Sequence, residues 1–296
     1  MIPGRTYLIS RRCTQRQFLL RPDERVEQIY LYCLGEAAAR YGVTLHGWMA
    51  MGNHHHLVVR DERGNFPDFL AHLHKMIAKA MNAYRGRWEN FWASEQPNAV
   101  YLVESPDRFA KLVYLLANPV ADDLVDRVSD WPGASSLVQM LSGRPKRVKR
   151  PRGFFRDDGP MPDEVELRAE RLDGFADLTE GEWRRKIATA IEEAERTARA
   201  KRRDENRGVQ GRKAALRIDT DARPTTVAPR RGLRPCLACG NADRRTTEIG
   251  LLRSFRALYR AALALWRDGS HDALFPAGTF RMRWFGARTP DLLLPR

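Results

Sequence analysis

The sequence feature that most constrains the fold is a run of three histidines at the start of a predicted strand. The run precedes the apolar segment 57–59 and follows a glycine-containing segment, 51–53, that favours a turn. Side chains alternate between the two faces of a strand, so His54 and His56 should share one face while His55 points to the other. Two imidazoles side by side are half of a site for a divalent metal ion.

A second group of candidate residues lies on a predicted helix. We expect residues 105–107 to open it and Pro119 to stop it, because proline disfavours helix in the residue before it. Four apolar residues at helical spacing form the stripe that should face the core: Phe109, Leu112, Val113 and Leu116. Tyr114 falls on the far side of the helix from that stripe, and Asn118 follows one turn later. A core tyrosine would lie on the stripe, so Tyr114 is either an ordinary surface residue or a functional one.

Together these segments resemble the tyrosine transposases of the HUH superfamily, and most closely the REP-associated tyrosine transposases. In that family a strand carries His-hydrophobic-His within Met-Pro-Asn-His-x-His-Leu, and residues 51–57 here read Met-Gly-Asn-His-His-His-Leu. A later helix carries Tyr-x-x-x-Asn-Pro-Val, which residues 114–120 match. The resemblance covers about residues 5–137. Its other matches are a strand with a basic end, a tryptophan and a serine pair: residues 7–12, Trp131, Ser135 and Ser136.

The chain departs from the family pattern at two positions. Gly52 replaces a proline, and we expect the turn to tolerate it because glycine adopts conformations open to few other residues. His55 replaces a hydrophobic residue that packs into the other face of the sheet. Burying an imidazole without a partner costs on the order of 1–3 kcal/mol. Either the buried His55 ring has a hydrogen-bond partner, or that face of the sheet is more accessible to water than in the relatives.

The pattern over the first 120 residues is strand, helix, strand, strand, helix, strand, helix. The predicted elements before the tyrosine helix are a strand at 7–12, a helix at 23–41, strands at 43–49 and 54–60, a helix at 67–84 and a strand at 99–104. This β-α-β-β-α-β order is ferredoxin-like, with an extra helix that carries the tyrosine. The predicted class is therefore α+β, and the resemblance implies an antiparallel sheet.

The resemblance also implies a function. Tyr114 would be the nucleophile that cleaves and rejoins single-stranded DNA through a 5′-phosphotyrosine link, commonly beside hairpins in repetitive palindromic DNA. His54 and His56, with the side-chain oxygen of Asn118, would hold Mg²⁺ or Mn²⁺. Two alternatives stay open: a catalytically decayed, transposase-derived DNA- or RNA-binding protein, which is favoured if His55 marks a decayed motif, and a metal-dependent nuclease without a covalent intermediate.

Composition agrees with a DNA-handling protein. The formal charge is +14, from 51 Lys plus Arg against 37 Asp plus Glu, which favours a polyanionic partner. No stretch approaches 18 continuous apolar residues, and the start lacks the apolar region of a secretory signal, so neither a membrane span nor export is expected. Four cysteines do not make a disulfide framework, and a cytoplasmic location is expected. Monomer and homodimer remain open.

The composition of the sequence changes after Ser135 and Ser136. We predict a catalytic domain over residues 1–140, a basic linker at 141–160, and a helical extension at 161–296 that is flexible at about 205–235. Helices are expected at 178–204 and 251–266. The basic residues predicted to contact DNA phosphates lie in the linker and at the end of the first strand: Arg11, Arg12, Arg144, Lys146, Arg147, Lys149 and Arg150.

Cys236 and Cys239 have the spacing of half a zinc knuckle. The sequence offers no second Cys-x-x-Cys, and His271 is a lone further candidate. Structural zinc normally takes four ligands, so the pair alone does not predict a zinc site, and its role stays open.

Overall fold

The computed structural model describes residues 1–226 and 234–290. The strands are β1 (Arg5–Arg12), β2 (Val43–Ala50), β3 (His54–Asp61), β4 (Asn98–Leu102), β5 (Lys146–Lys149), β6 (Glu164–Leu167) and β7 (Leu237–Ala238). The helices are α1 (Glu24–Tyr41), α2 (Phe66–Tyr84), α3 (Ser105–Ala121), α4 (Leu137–Ser142), α5 (Glu180–Asp204), α6 (Arg212–Arg217) and α7 (Ala242–Arg267). None of the helices in these two ranges is long and apolar enough to cross a membrane.

The main sheet has the order β2-β3-β1-β4-β7. The first four strands pair only antiparallel, and β7 adds a short parallel pairing to the free edge of β4. This arrangement confirms the predicted α+β class with a ferredoxin-like antiparallel sheet.

Each face of the sheet carries a hydrophobic core, because strand alternation separates the apolar residues of β3. Leu57 and Val59 pack with α1 and α2 on one face. Val58 packs on the other face with α3 and α5, where Leu112, Leu115 and Leu116 of α3 meet three residues of α5, namely Trp183, Ile187 and Ile191. The helix that carries Tyr114 is therefore held between the sheet and α5.

The tyrosine helix is longer than predicted. α3 continues through Pro119 and ends at Ala121, so the prediction that it stops before Pro119 was wrong. Proline lacks the N–H that would bond one turn back, but Pro119 and Val120 are both buried, and their packing holds the last turn in helical conformation. Asn118 consequently lies inside the helix.

The segment predicted as a basic linker is instead folded. β5 and β6 form a hairpin, with Val148 paired to Val165, and it packs on α1 so closely that a Cβ added at Gly35 would lie 2.9 Å from the Val165 side chain. Lys146 forms an ion pair with Glu27 at 2.5 Å, and Arg150 pairs with Asp163 at 2.8 Å. The carboxylates that neutralise the segment come from other parts of the chain, which is why its own sequence resembled a free arm.

The C-terminal region is only partly as predicted. α5 begins two residues later than expected, and α6 lies within the segment predicted to be flexible; part of that segment, 227–233, lies outside the described residues. α7 begins at Ala242 rather than 251, because Asn241 caps it by accepting hydrogen bonds from the backbone of Asp243 and Arg244. Its first turns are polar, so the apolar stripe used for prediction starts too late.

Candidate active site

The two outer histidines of the triplet lie side by side on the face of the sheet that α3 covers. Their ring centroids are 4.8 Å apart. The Nδ1–H of His54 donates to the Asn53 side-chain oxygen at 2.7 Å, which leaves Nε2 of His54 as the nitrogen with a free lone pair. In the register with β1, His54 lies opposite Arg12 and His56 opposite Ser10.

Both imidazoles are neutral at neutral pH. Burial lowers the pKa of His54 well below its usual value, and the neighbouring His56 and Arg12 lower it further. Burial, assisted by Arg12, lowers the pKa of His56 to about 4. Neutral imidazole is the form that binds a metal ion, so no proton has to leave before either ring can act as a ligand.

Tyr114 faces this histidine pair from α3. Its ring centroid lies 6.0 Å from that of His56, and 48% of the residue is exposed. Asn118, one turn further along, is buried, and Lys111 one turn before brings its Nζ to 5.5 Å from the tyrosine ring centroid. The structure thus brings Tyr114 next to the histidine pair, with Asn118 beside Tyr114 on the same helix. It adds Lys111, which sequence reasoning missed although its spacing of three residues from Tyr114 was a usable signal.

The phenol of Tyr114 is not activated by the protein alone. Burial raises its pKa above the ordinary value of 10.0, and the negative charge of Asp122 raises it further, while the Asn118 side chain acts in the opposite direction. A phenol in this environment stays protonated near neutral pH, so a nucleophilic role requires additional positive charge close to the hydroxyl.

His55, the departure from the family pattern, is fully buried on the opposite face of the sheet and is hydrogen-bonded at both ring nitrogens. Arg11 can only donate, so its contact of 2.9 Å to Nδ1 of His74 makes that nitrogen an acceptor. Nε2–H of His74 therefore donates to Nε2 of His55 at 3.0 Å, and Nδ1–H of His55 donates to the Tyr30 hydroxyl at 3.0 Å. Burial lowers the pKa of His55 to about 3, which agrees with a neutral imidazole in this series of hydrogen bonds.

The residues predicted to contact DNA are spread over several surfaces. Arg12 is exposed on the histidine face, whereas Arg11 points to the other face, where it bonds to His74 and lies over the Trp92 ring. The remaining five lie on or beside the β5–β6 hairpin: Arg144, Lys146, Arg147, Lys149 and Arg150. The structure does not bring the hairpin residues into the contacts around Tyr114.

The turn before the histidine strand needs glycine for space rather than for an unusual backbone angle. Gly52 is not among the residues with positive φ, so the expected conformational reason is not the operative one. A Cβ at this position would lie 2.9 Å from the Phe18 ring, and the Gly52 carbonyl accepts a hydrogen bond from the backbone of Leu20 at 2.9 Å. The turn is thereby packed under the segment that follows β1.

The tryptophan and serine matches hold the segment after α3 against the edge of β2. Trp131 donates its indole N–H to the Ala50 carbonyl at 3.0 Å. Ser136 donates its backbone N–H to the Trp48 carbonyl at 3.0 Å and accepts from the Trp48 backbone at 3.1 Å. These bonds hold the last residues of β2, just before the turn that leads into the histidine strand.

The donor set fits a divalent cation. His54 has a free Nε2, Nδ1 of His56 is buried without a partner among residues 1–226 and 234–290, and Asn118 offers a side-chain oxygen. A buried polar atom without a partner is costly, and a cation bound at Nδ1 of His56 would satisfy that nitrogen. Two imidazoles and an amide form a mixed nitrogen and oxygen set that suits Mn²⁺ and also admits Mg²⁺.

The cysteine pair lies at the opposite end of α3. Cys236 is exposed, whereas Cys239 is buried beside Glu104 and Asp107, with the three potential ligand atoms within 4.8 Å of one another. Both carboxylates already cap the helix, and Asp107 also accepts from the Gly240 backbone at 2.8 Å. This cluster therefore serves to join β7 to the start of α3.

No protein-family model and no curated protein matches the chain. Among solved structures, it is similar to a REP-associated tyrosine transposase bound to a REP hairpin, with 16% identity and a TM-score of 0.41 over 60% of this chain and 94% of that one. It is also similar to a putative transposase from Deinococcus radiodurans R1, with 18% identity and a TM-score of 0.30 over 38% of this chain and 90% of that one.

Proposed function

We propose that this protein is a metal-dependent transposase or endonuclease that cleaves and rejoins single-stranded DNA through a 5′-phosphotyrosine intermediate. The observation that carries the proposal is the meeting of two motifs that are far apart in sequence. Tyr114 faces the His54–His56 pair, with its ring 6.0 Å from that of His56. A half-exposed tyrosine beside two neutral, unprotonated histidines is an unusual arrangement for a residue with only a packing role.

The proposed cofactor is Mg²⁺ or Mn²⁺, held by His54, His56 and the side chain of Asn118. When bound, the cation supplies positive charge that stabilises the phosphate oxygens and the phenolate. Arg12 is exposed beside His54 and Lys111 lies beside Tyr114, so both can bind the phosphate that is to be cleaved. These five residues would supply the positive charge and the metal ligands for a reaction at a single tyrosine.

In the proposed reaction, the Tyr114 oxygen attacks the phosphorus and loses its proton. The bond between phosphorus and the 3′ oxygen breaks, and that oxygen leaves as a 3′-hydroxyl once it is protonated. Rejoining reverses the step, because a 3′-hydroxyl attacks the phosphotyrosine and returns the phenol. The phosphotyrosine retains the energy of the original bond, so no nucleotide cofactor is required.

The proposed substrate is single-stranded DNA beside a hairpin. Its support is the resemblance to a family that acts on such DNA, together with the net charge of +14. The similar transposase structure is bound to a REP hairpin. For this chain, hairpin recognition is a proposal to be tested by binding.

Two other functions remain as alternatives. A nuclease would use the same histidines with water as the nucleophile and would form no covalent link. A decayed DNA- or RNA-binding protein would form no link and cleave nothing. The main sequence argument for decay was a buried His55 without partners, and its hydrogen bonds to Tyr30 and His74 weaken that argument.

The test is an incubation of the protein with labelled single-stranded oligonucleotides that carry a hairpin, with Mn²⁺ or with a chelator. The wild type is expected to give a protease-sensitive, gel-shifted adduct with Mn²⁺ and none with the chelator. Tyr114→Phe removes only the hydroxyl and should give no adduct, whereas Tyr84→Phe, at another partly exposed tyrosine, should behave as the wild type.

Two results would contradict the proposal. If Tyr114→Phe still cleaves the DNA, water is the nucleophile and the nuclease is correct. If the wild type neither forms an adduct nor cleaves any hairpin substrate with either metal, but binds DNA, the protein is the decayed binding protein.

A further inference from the structure

The long C-terminal helix α7 carries a row of four arginines on one side. Arg253, Arg256, Arg260 and Arg267 are all exposed. At about 100° per residue they fall within an arc of roughly 60°, and at 1.5 Å per residue they span roughly 21 Å along the helix axis. We call these four residues the α7 arginine row.

The α7 arginine row has no neutralising partners in the described part of the chain. None of its members is in an ion pair within residues 1–226 and 234–290, although twenty-five ion pairs occur there. The sequence explains this, because residues 249–267 contain no aspartate or glutamate. An ordinary solvated helix face mixes both charges at spacings of three and four residues, so a face with only arginine is typical of a surface that binds an anion.

The other sides of α7 are occupied or apolar. Phe275 is fully buried against the helix, with ring centroids 5.4 Å from Tyr259 and 5.9 Å from Trp266. Ala262 and Ala287 complete this small core. The segment after α7 thus folds back over one side of the helix and leaves the α7 arginine row uncovered.

The helix is also fixed to the catalytic sheet. The backbone N–H groups of Tyr101 and Val103 in and after β4 donate to the carbonyls of Cys236 and Ala238 at 3.0 and 3.1 Å. In the first turns of α7, Glu248 pairs with Arg5 of β1 at 3.4 Å. A row of charges on a rigid helix that starts at the sheet edge has a defined position relative to the strands that carry the histidines.

We propose that the α7 arginine row binds the phosphate backbone of double-stranded DNA, the stem of a hairpin, outside the site around Tyr114. Arginine suits phosphate because its planar guanidinium offers paired donors. Duplex is favoured over single strand because single-strand surfaces combine charge with aromatic side chains that stack bases, and the row contains none. The neighbouring positions Ala257 and Ala264 are small, so a rigid duplex can approach the helix closely.

This inference rests on the proposed function for its choice of DNA, but its test measures binding and does not depend on cleavage. The probes are a hairpin oligonucleotide with a single-stranded tail and the tail alone. The variant is R256Q/R260Q in the full-length chain, and the charge-matched control is R168Q/R196Q, which removes two exposed arginines that have carboxylate partners.

We expect R256Q/R260Q to weaken binding to the hairpin and to reduce the slope of log affinity against log salt by about two, since each lost phosphate contact removes about 0.9. Binding to the tail alone and the yield of adduct with the tail should match the wild type. The control should leave all of these unchanged.

Equal losses for the variant and the control would mean that only net charge matters, and would overturn the inference. It would also be overturned by a hairpin slope that is unchanged in R256Q/R260Q, or by equal weakening on the tail alone. Failure of the proposed function is distinguishable, because it would abolish the adduct in every variant while leaving the difference in hairpin binding intact.

Discussion

At the scale of single residues, His55 shows how a buried polar group can replace a hydrophobic one. The ring lies in the core beneath α1 and α2 and has a donor on one side and an acceptor on the other. The direction of the whole chain of bonds follows from Arg11, which can donate but not accept. A motif position that suggested decay is therefore a satisfied part of the core.

This arrangement predicts that restoring the hydrophobic residue of the family destabilises this particular protein. His55→Leu should lower the free energy of unfolding by about 1–3 kcal/mol, because it leaves Tyr30 and His74 buried without their partner. In the His55→Leu background, Tyr30→Phe should cost less than in the wild type, since the bond it would break is already lost. Urea unfolding of the two single variants and the double variant measures both effects. Strictly additive costs would show that the two side chains are not coupled.

Strand alternation alone was enough to separate His55 from His54 and His56. It could not identify the partner His74, which is 19 residues away on α2 and whose ring position depends on how that helix packs. Nor could it separate Arg11 from Arg12 by role, because that requires knowing which face of the sheet α3 covers. The alternation of side chains along a strand is a local property of the sequence, whereas the partner of a buried side chain depends on tertiary packing.

At the scale of elements, the β5–β6 hairpin differs most from its prediction. The segment has no acidic residue from 142 to 156, which on its own indicates a solvated arm. Its partners Glu27, Asp163 and Glu166 belong to α1, the loop before β6 and β6 itself. The misjudged end of α3 also has a tertiary origin, since burial overrides the local preference of Pro119.

The contacts of the hairpin therefore predict that some of its basic residues bind DNA and others stabilise the fold. Arg144 and Lys149 are exposed and without ion-pair partners in the described ranges, so R144Q/K149Q should weaken DNA binding and reduce the salt slope by up to about two, with stability unchanged. Arg150 is 13% exposed and bonds to the Met161 carbonyl at 3.0 Å and to Asp163. R150Q should instead lower the unfolding temperature. A binding loss for R150Q without a thermal shift, or a thermal shift for R144Q/K149Q, would reverse these assignments.

At the scale of the whole molecule, the two hydrophobic cores of the sheet extend beyond residue 140, where the sequence predicted the catalytic domain to end. Both faces of the sheet are completed by residues beyond 140: Val148, Val165 and Leu167 on one, and Trp183, Ile187, Ile191 and Ala215 on the other. The cluster of Ala262, Phe275 and Ala287 is separate from both. The unit that should fold independently therefore extends through α6, although the family motifs end near residue 137.

This predicts opposite outcomes for two truncations. A chain that ends at Arg217 keeps every buried residue of the two sheet cores, so it should unfold cooperatively and form the adduct with a single-stranded tail. It should lose the part of hairpin binding that we assign to α7. A chain that ends at residue 140 uncovers the apolar faces of α1 and α3 that the hairpin and α5 bury, and it should aggregate or remain unfolded. Circular dichroism melts and size-exclusion chromatography of both chains make the comparison. If the shorter chain folded and formed the adduct as well as the longer one, the boundary at 140 would be correct and α5 dispensable.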